Sequence, residues 1–354
     1  MSALSFGVFD HLDNRNAPLR QIYEERLRLI EQYERHGLYA YHLAEHHGTP
    51  LGMAPSPSVF LSAVAQRTSR LRFGPLVYVL PLYNPVRLAC EICMLDHLSG
   101  GRYEVGVGRG ISPFEMAFFN ISHLDSQDAF EEAYGVLIAA LTSDKVRHRG
   151  NFVKFVDIPM VLRPLQRPHP PLWYGIGGVP GAAWAARQGM HVVSNLACEP
   201  TRSAVNAYRE AGAGAPQSGA PRKVGIARHV YVAETDAQAE RIAGRALAAW
   251  FANISKLWRD HGGLPTRYSA DLNVMRGLDQ MVCGSPATVR AEIERQSAAA
   301  GCNYFVSRFA YGDLSLEESQ RSLELFAAEV MPHFAATPAA EAFPEPGQGT
   351  ALRT

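Results

Sequence analysis

No apolar run in the 354 residues reaches the ~18 positions a membrane-spanning helix needs. No excess of either charge exists: Lys plus Arg and Asp plus Glu number 34 each, so no net field favours nucleic acid or an anionic membrane. Cysteine is sparse. Five scattered thiols, an odd number, suit a reduced cytoplasm better than a disulfide framework. Cys90 and Cys93 form a C-x-x-C, but it lies within a helical pattern and has no second pair downstream. Two ligands do not make a zinc site, so this pair reads as packing. The opening MSALSFGVFDH lacks a basic n-region and reads as a strand, which argues against an export signal. Periodicity is missing from ATPAAEAFPEPGQGTALRT, and residues 335–354 are expected to be a frayed tail behind a single domain, 1–334.

What the chain does have is hydrophobic residues, 47% of the total, enough for a large core, laid out in strict alternation. Eight strand-like stretches begin LSFGVF (4–9), LYAYHLAE (38–45), LRFGPLVYVLP (71–81) and RYEVGVG (102–108). They continue with PLWYGIGG (171–178), MHVVSNL (190–196), KVGIARHVYVAE (223–234) and CNYFVSRFA (302–310). A helical pattern follows each, and VRHRGNFVKFVDI reads as an inserted hairpin. Such alternation implies parallel strands. Eight βα units in a chain of this length predict an α/β fold, a closed (β/α)8 TIM-like barrel with insertions at the C-terminal strand ends. The weakly patterned stretch 260–283 precedes a helix opening on Ser285–Pro286; a loop that long in a compact domain is usually functional.

The stretch HLAEHH (42–47) spells His-x-x-Glu-His, an inverted zinc-peptidase motif. That motif needs a helix to bring both histidines to one metal. Here the residues end a strand and run into the breakers GTPLGMAPSP. On a strand His42, Ala44 and His46 face one way, and Leu43, Glu45 and His47 the other, which separates His42 from Glu45. What remains is Glu45, His46 and His47 at the strand end, where barrels place active sites. A buried histidine with satisfied hydrogen bonds is the plainer reading.

Two other strand ends carry glycine. GVGRGIS (106–112) sets Arg109 between Gly108 and Gly110, and Ile111 breaks the Gly-x-Gly-x-x-Gly spacing of a dinucleotide fold. GIGGVPG (175–181) runs from strand into helix, and the amides of Gly177, Gly178 and Gly181 suit an anion. Each alone is equally well a tight βα turn. Together with the histidines they favour a phosphate-bearing cofactor. Phe114, Met116, Phe118 and Phe119, together with the 48–57 loop, are candidates for an apolar substrate pocket, packing being the alternative for the aromatics.

The segments AEHHG, VLPLYNPVRLACEICMLDHLSGGRYEVGVGRG, WAARQGM, CGSPATV and ELFAAEVMPHF together resemble the bacterial luciferase-like flavin-dependent monooxygenases. Their order tracks the luciferase alpha subunit over residues 4–334. The resemblance implies reduced flavin mononucleotide (FMN), supplied by a separate NAD(P)H-dependent flavin reductase. That flavin activates O2, which oxygenates a small, apolar organic substrate. By the same resemblance His46 falls on the catalytic histidine, Glu45 and His47 on its neighbours, and Glu115 on an acidic position near the flavin. Arg109, Gly177, Gly178 and Gly181 fall on the phosphate site. Leu76–Val77 falls on a cis peptide beneath the ring, and 260–283 on a mobile lid. Gly108 stands where luciferase has a reactive cysteine, and nothing supports light emission. Relatives of this barrel use a deazaflavin (F420-type) coenzyme instead, for whose longer tail Arg163 and Arg167 are the candidate cations; others are non-catalytic flavin binders. The family pairs through helices following strands two and three, here 57–69 and 85–98, so a homodimer is expected.

Overall fold

The parallel strands leave almost no edge. In the computed structural model, which describes residues 4–213, 221–263 and 267–335, twelve strands are present among those residues. They are β1 (Ser5–Asp10), β2 (Ala40–Leu43), β3 (Arg72–Pro75), β4 (Tyr78–Val79), β5 (Val105–Gly108) and β6 (Lys145–Arg149). The remainder are β7 (Lys154–Pro159), β8 (Leu172–Ile176), β9 (His191–Ser194), β10 (Val224–Val232), β11 (Met281–Gly284) and β12 (Tyr304–Arg308). Parallel ladders run β3–β2–β1–β12–β10–β9–β8–β5–β4. The chain from β3 to β4 is one stretch interrupted at residues 76–77, and a Phe73–Tyr103 bridge spans the gap towards β5. Counting β3 and β4 as one, the barrel has the eight expected strands. β6 and β7 form the expected antiparallel hairpin, outside the barrel.

Close backbone approach explains two glycines. A Cβ on Gly74 would lie 1.8 Å from the Glu104 carbonyl oxygen, and one on Gly106 would lie 2.2 Å from that of Pro75. Only a residue without a side chain lets β3 and β5 meet there. Beneath the site, Phe9, Ala44, Leu76, Trp173, Val193, Ala227, Tyr304 and Val306 fill the interior. His42 points into this plug, its Nε2 2.9 Å from the Tyr304 hydroxyl. That places His42 in the core, apart from Glu45 as the strand alternation predicts. Trp173 is fully buried, and truncating such a side chain typically costs 3–5 kcal/mol. The lower barrel is therefore solid, and any ligand must enter at the C-terminal strand ends.

Several local expectations change. Residues 260–283 are not unstructured throughout: they contain a helix, Leu272–Gly277, and most of β11, which pairs with the upper half of β10. Residues 264–266 of that stretch lie outside the described residues. So does the expected tail from residue 336 onward. Pro286 does open the helix Pro286–Ala300, but the Ser285 hydroxyl meets that of Thr288 rather than a backbone amide. Cys93 packs in the core with Cys90 beside it, as the packing reading required. Among the described residues no helix is long and apolar enough to cross a membrane.

Candidate active site

Strand ends converge on a cavity of about 760 Å3, within the range of small-molecule sites. Its wall includes His46, Glu45 and Glu115 on one side, Arg109 and Gly177–Gly178 on another, and Leu76–Val77 between them. The peptide bond joining Leu76 to Val77 is cis.

The acid–base groups are locked in pairs. Ser112 caps the short helix Pro113–Phe118 by accepting from the Glu115 amide. Glu115 then reaches back to the β2 end. Its Oε1 lies 3.1 Å from His46 Nδ1, and its Oε2 accepts from the His47 amide at 2.9 Å. Burial pulls Glu115 upward, but the charge and hydrogen bond of His46 and the His47 amide outweigh it, leaving its carboxyl below the usual value. The converse holds for His46. Burial alone would lower it, and Glu115, with help from Glu45 and Asp13, holds it above the usual imidazole value. Nδ1 is thus the proton-bearing nitrogen facing the carboxylate, and Nε2 has no partner among the described residues. Gly52 makes room for this ring, since a Cβ there would sit 2.7 Å from His46 Cβ.

Glu45 does a different job. Its Oε2 accepts from the Val79 amide at 2.9 Å and its Oε1 pairs with His47 Nε2 at 2.8 Å, tying β2 to β4 across the cis peptide. Burial pushes its carboxyl up against the effect of these partners. His47 itself turns from the cavity and packs edge-on against Phe119, with ring centroids 4.7 Å apart.

The glycine turns line the same cavity. Arg109, half-buried, makes no ion pair among the described residues and shares the cavity with the start of the helix Val179–Arg187. Cβ atoms added to Gly177 or Gly178 would meet nothing within 4 Å, so the turn opens onto free space. Gly108 packs against the cis peptide, where a Cβ would sit 2.6 Å from Val77 Cγ2, and Gly110 adopts φ 86°, a left-handed conformation that glycine tolerates. A permanent guanidinium in one cavity with a helix start suits a phosphate monoester.

The expected substrate loops fare less well. Of the four 112–120 candidates only Met116 lines the cavity. Phe114 stacks on His261 at 4.1 Å, as the packing alternative has it, while Phe118 and Phe119 are exposed and fit neither the pocket nor the packing reading. The 48–57 loop also stays outside, held by Thr49 Oγ1 donating to the Asn253 carbonyl and by Leu51 in a core around Trp250. Arg163 and Arg167 precede β8 at the opposite barrel end, where Arg163 pairs with Asp144 at 2.5 Å, so neither reaches the cavity. In their place stand His11, Asn195, Ile254, Trp258, Arg267 and Tyr268. His11 and Asn195 sit at strand ends, the rule that singled out His46 and Arg109, and were legible by it. Arg267 and Tyr268 come from a stretch without pattern. Among the described residues no group of His, Cys, Asp and Glu could hold a metal, and the His-x-x-Glu-His spelling forms none.

A family model described as luciferase-like monooxygenase matches residues 4–303. An uncharacterized protein, y4wF of Sinorhizobium fredii, is 38% identical over 93% of this chain and 97% of its own. The oxygenase component of the flavin-dependent trigonelline monooxygenase of Acinetobacter baylyi is 26% identical over 71% of this chain and 72% of its own. Among solved structures, the monooxygenase RslO1 from Streptomyces bottropensis superposes with TM-score 0.84 at 27% identity, covering 94% of this chain and 100% of that one.

Proposed function

The chain belongs to the luciferase-like monooxygenase family, and from that premise we propose that it is the oxygenase component of a two-component flavin-dependent monooxygenase. It takes reduced FMN from a separate NAD(P)H-dependent flavin reductase and uses O2 to oxygenate a small organic substrate. The observation that carries this reading is one cavity shared by Arg109, which has no ion pair among the described residues, an open helix start and a locked His46–Glu115 pair. The residues present fit FMN: Arg109 and the amides of Gly177, Gly178 and Gly181 would hold its phosphate, with Gly108, Gly110, Leu76 and Val77 against the rest. Bound reduced FMN would supply the electrons that activate O2.

The protein's part is to place groups and exclude water. His46 keeps a proton at Nδ1 against Glu115 and turns Nε2 to the cavity, where it can give or take a second proton as charge develops. Its raised pKa keeps more of it protonated at neutral pH than an ordinary imidazole, so that Nε2 more often carries a proton to give. Glu45, through His47 and the Val79 amide, holds the strand ends that carry His46 and the cis peptide. Arg267 and Tyr268, which line the cavity, belong to the 260–283 stretch that acts as the lid. The protein acts as a homodimer, a reading supported by Val59, Met94 and Leu98, large apolar side chains exposed on Pro57–Arg67 and Pro85–Leu98.

Rapid mixing of the anaerobic protein carrying reduced FMN with oxygenated buffer tests the chemistry. Reoxidation should be slower than that of free reduced FMN and should change in His46→Gln. Rates equal to free flavin in both proteins would sink the proposal, and binding of a reduced deazaflavin alone would redirect it to hydride transfer.

A further inference from the structure

Behind the cavity wall lies a charge with no counter-ion among the described residues. Arg308 ends β12 and is 3% exposed. Its Nη2 donates to Asn195 Oδ1 at 2.7 Å, and its guanidinium lies over the Phe9 ring at 4.7 Å. Nε and Nη1 have no partner among the described residues, and no carboxylate there forms an ion pair with it. Asp13 is the carboxylate whose field reaches it, but Asp13 is engaged by the Gly312 amide and Asn253, and burial pushes it up to about 7. His11 and His229 are held well below the usual imidazole value, chiefly by burial and then by the Arg308 charge, so both are neutral. Burial brings Arg308 down only to about 10, so it stays charged at neutral pH. A buried cation without a counter-charge is costly, and the fold retains one here.

The bond to Asn195 carries that charge to the cavity surface. A guanidinium has only donors, so the atom it meets must be the amide oxygen of Asn195, and this fixes the amide orientation. Nδ2 is then the outer end of the side chain, without a partner among the described residues, on a residue that lines the cavity. β9 and β12 flank β10, so the bond crosses β10 from the level of His229, the register partner of Arg308, down to that of the small Ala227, which follows the partner of Ser194. Asn195 therefore leans towards the His11 side, away from Gly177–Gly181. The two cavity carboxylates, Glu45 and Glu115, are each paired with a histidine and leave this positive sector unopposed.

We propose that Asn195, aligned by Arg308, anchors a carboxylate on the organic substrate, so that the substrate is a small organic acid whose apolar remainder contacts Ile254 and Trp258. Asn195 touches the ligand, and Arg308 is a positioning residue that orients it and supplies the field. The inference rests on the reading of this cavity as the oxygenation site and narrows its substrate.

The experiment is calorimetric titration of the full chain with benzoate, hexanoate and 1-naphthoate, each against its primary amide. Charge-assisted hydrogen bonding predicts that at least one acid binds on the order of ten- to a hundredfold more tightly than its amide. Asn195→Asp should abolish that preference. Arg308→Met should abolish it while amide binding persists, and Arg308→Lys should restore part of it. FMN binding should be unchanged in all three. Should Arg308→Met fail to fold, Asn195→Asp, altered in the open cavity, decides alone. No acid preferred over its amide, or a preference surviving Asn195→Asp, overturns the proposal; so does loss of FMN binding in Asn195→Asp, which would assign Asn195 to the flavin. A wild type that prefers acids but binds no flavin removes the flavin reading and leaves the acid subsite.

Discussion

Replacing Glu115 with glutamine removes one charge from the site while keeping its shape. The carboxylate accepts two hydrogen bonds, from His46 Nδ1 and from the His47 amide, with both side chains of the His46 pair mostly buried. A charge-assisted bond of this kind contributes about 1.5–3 kcal/mol, against about 1 kcal/mol for a neutral one. The pH dependence follows from the two shifts. His46 is raised, so its contribution is complete below its ordinary 6.5 and fades as pH rises through its folded value. Glu115 is lowered, so its contribution is complete above its ordinary 4.5 and fades as pH falls through its folded value. The window of full stabilisation therefore lies between about 4.5 and 6.5. Glu115→Gln should cost about 2 kcal/mol there, shrinking towards about 1 kcal/mol at alkaline pH. Urea unfolding at several pH values measures this, and an NMR titration of the imidazoles locates His46. In the wild type His46 should titrate above 6.5, and in Glu115→Gln, with burial unopposed by that charge, below it. A pH-independent stability difference, or a wild-type His46 titrating below 6.5, would refute the reasoning.

Three further outcomes follow from particular contacts. Gly177→Asp adds a side chain into open space beside the proposed phosphate site, so the melting temperature should hold while FMN binding weakens by about tenfold or more. Gly74→Ala forces a Cβ against the Glu104 carbonyl, and calorimetry should show a loss of about 3 kcal/mol with a lower melting temperature. Met94→Glu with Leu98→Glu places charges on the exposed apolar face, and light scattering should find a monomer where the wild type is a dimer.

The barrel was legible because strand and helix periods differ and each βα unit announces itself locally. The stretch 71–81, nearly all apolar, reads as a strand buried on both faces, and it carries β3 and β4. Site residues at strand ends were legible only in combination: each glycine turn or histidine alone has an ordinary structural use, but three such strand ends open on one face of a barrel. What escaped notice depends on contacts between distant segments. β11 pairs only with the upper part of β10, and its four residues are too short to stand out beside a patternless stretch. The pairing of His46 with Glu115, 69 residues apart, cannot be inferred from spacing. Nor can Arg308 and Asn195, 113 apart, where an ordinary strand-end arginine becomes unusual only because no carboxylate meets it. Phe114, Phe118 and Phe119 could not be placed for the opposite reason: aromatic residues mark packing and pockets alike, and here one packs while two are exposed.

Equilibrium binding of photoreduced FMN, oxidised FMN and riboflavin to the wild type and to Arg109→Ala tests the central claim most directly. The account predicts preference for the reduced form, weaker binding of riboflavin than of oxidised FMN in the wild type, and loss of that phosphate-dependent difference in Arg109→Ala. A wild type that binds FMN and riboflavin equally, or an Arg109→Ala protein that binds reduced FMN as well as the wild type, would contradict it.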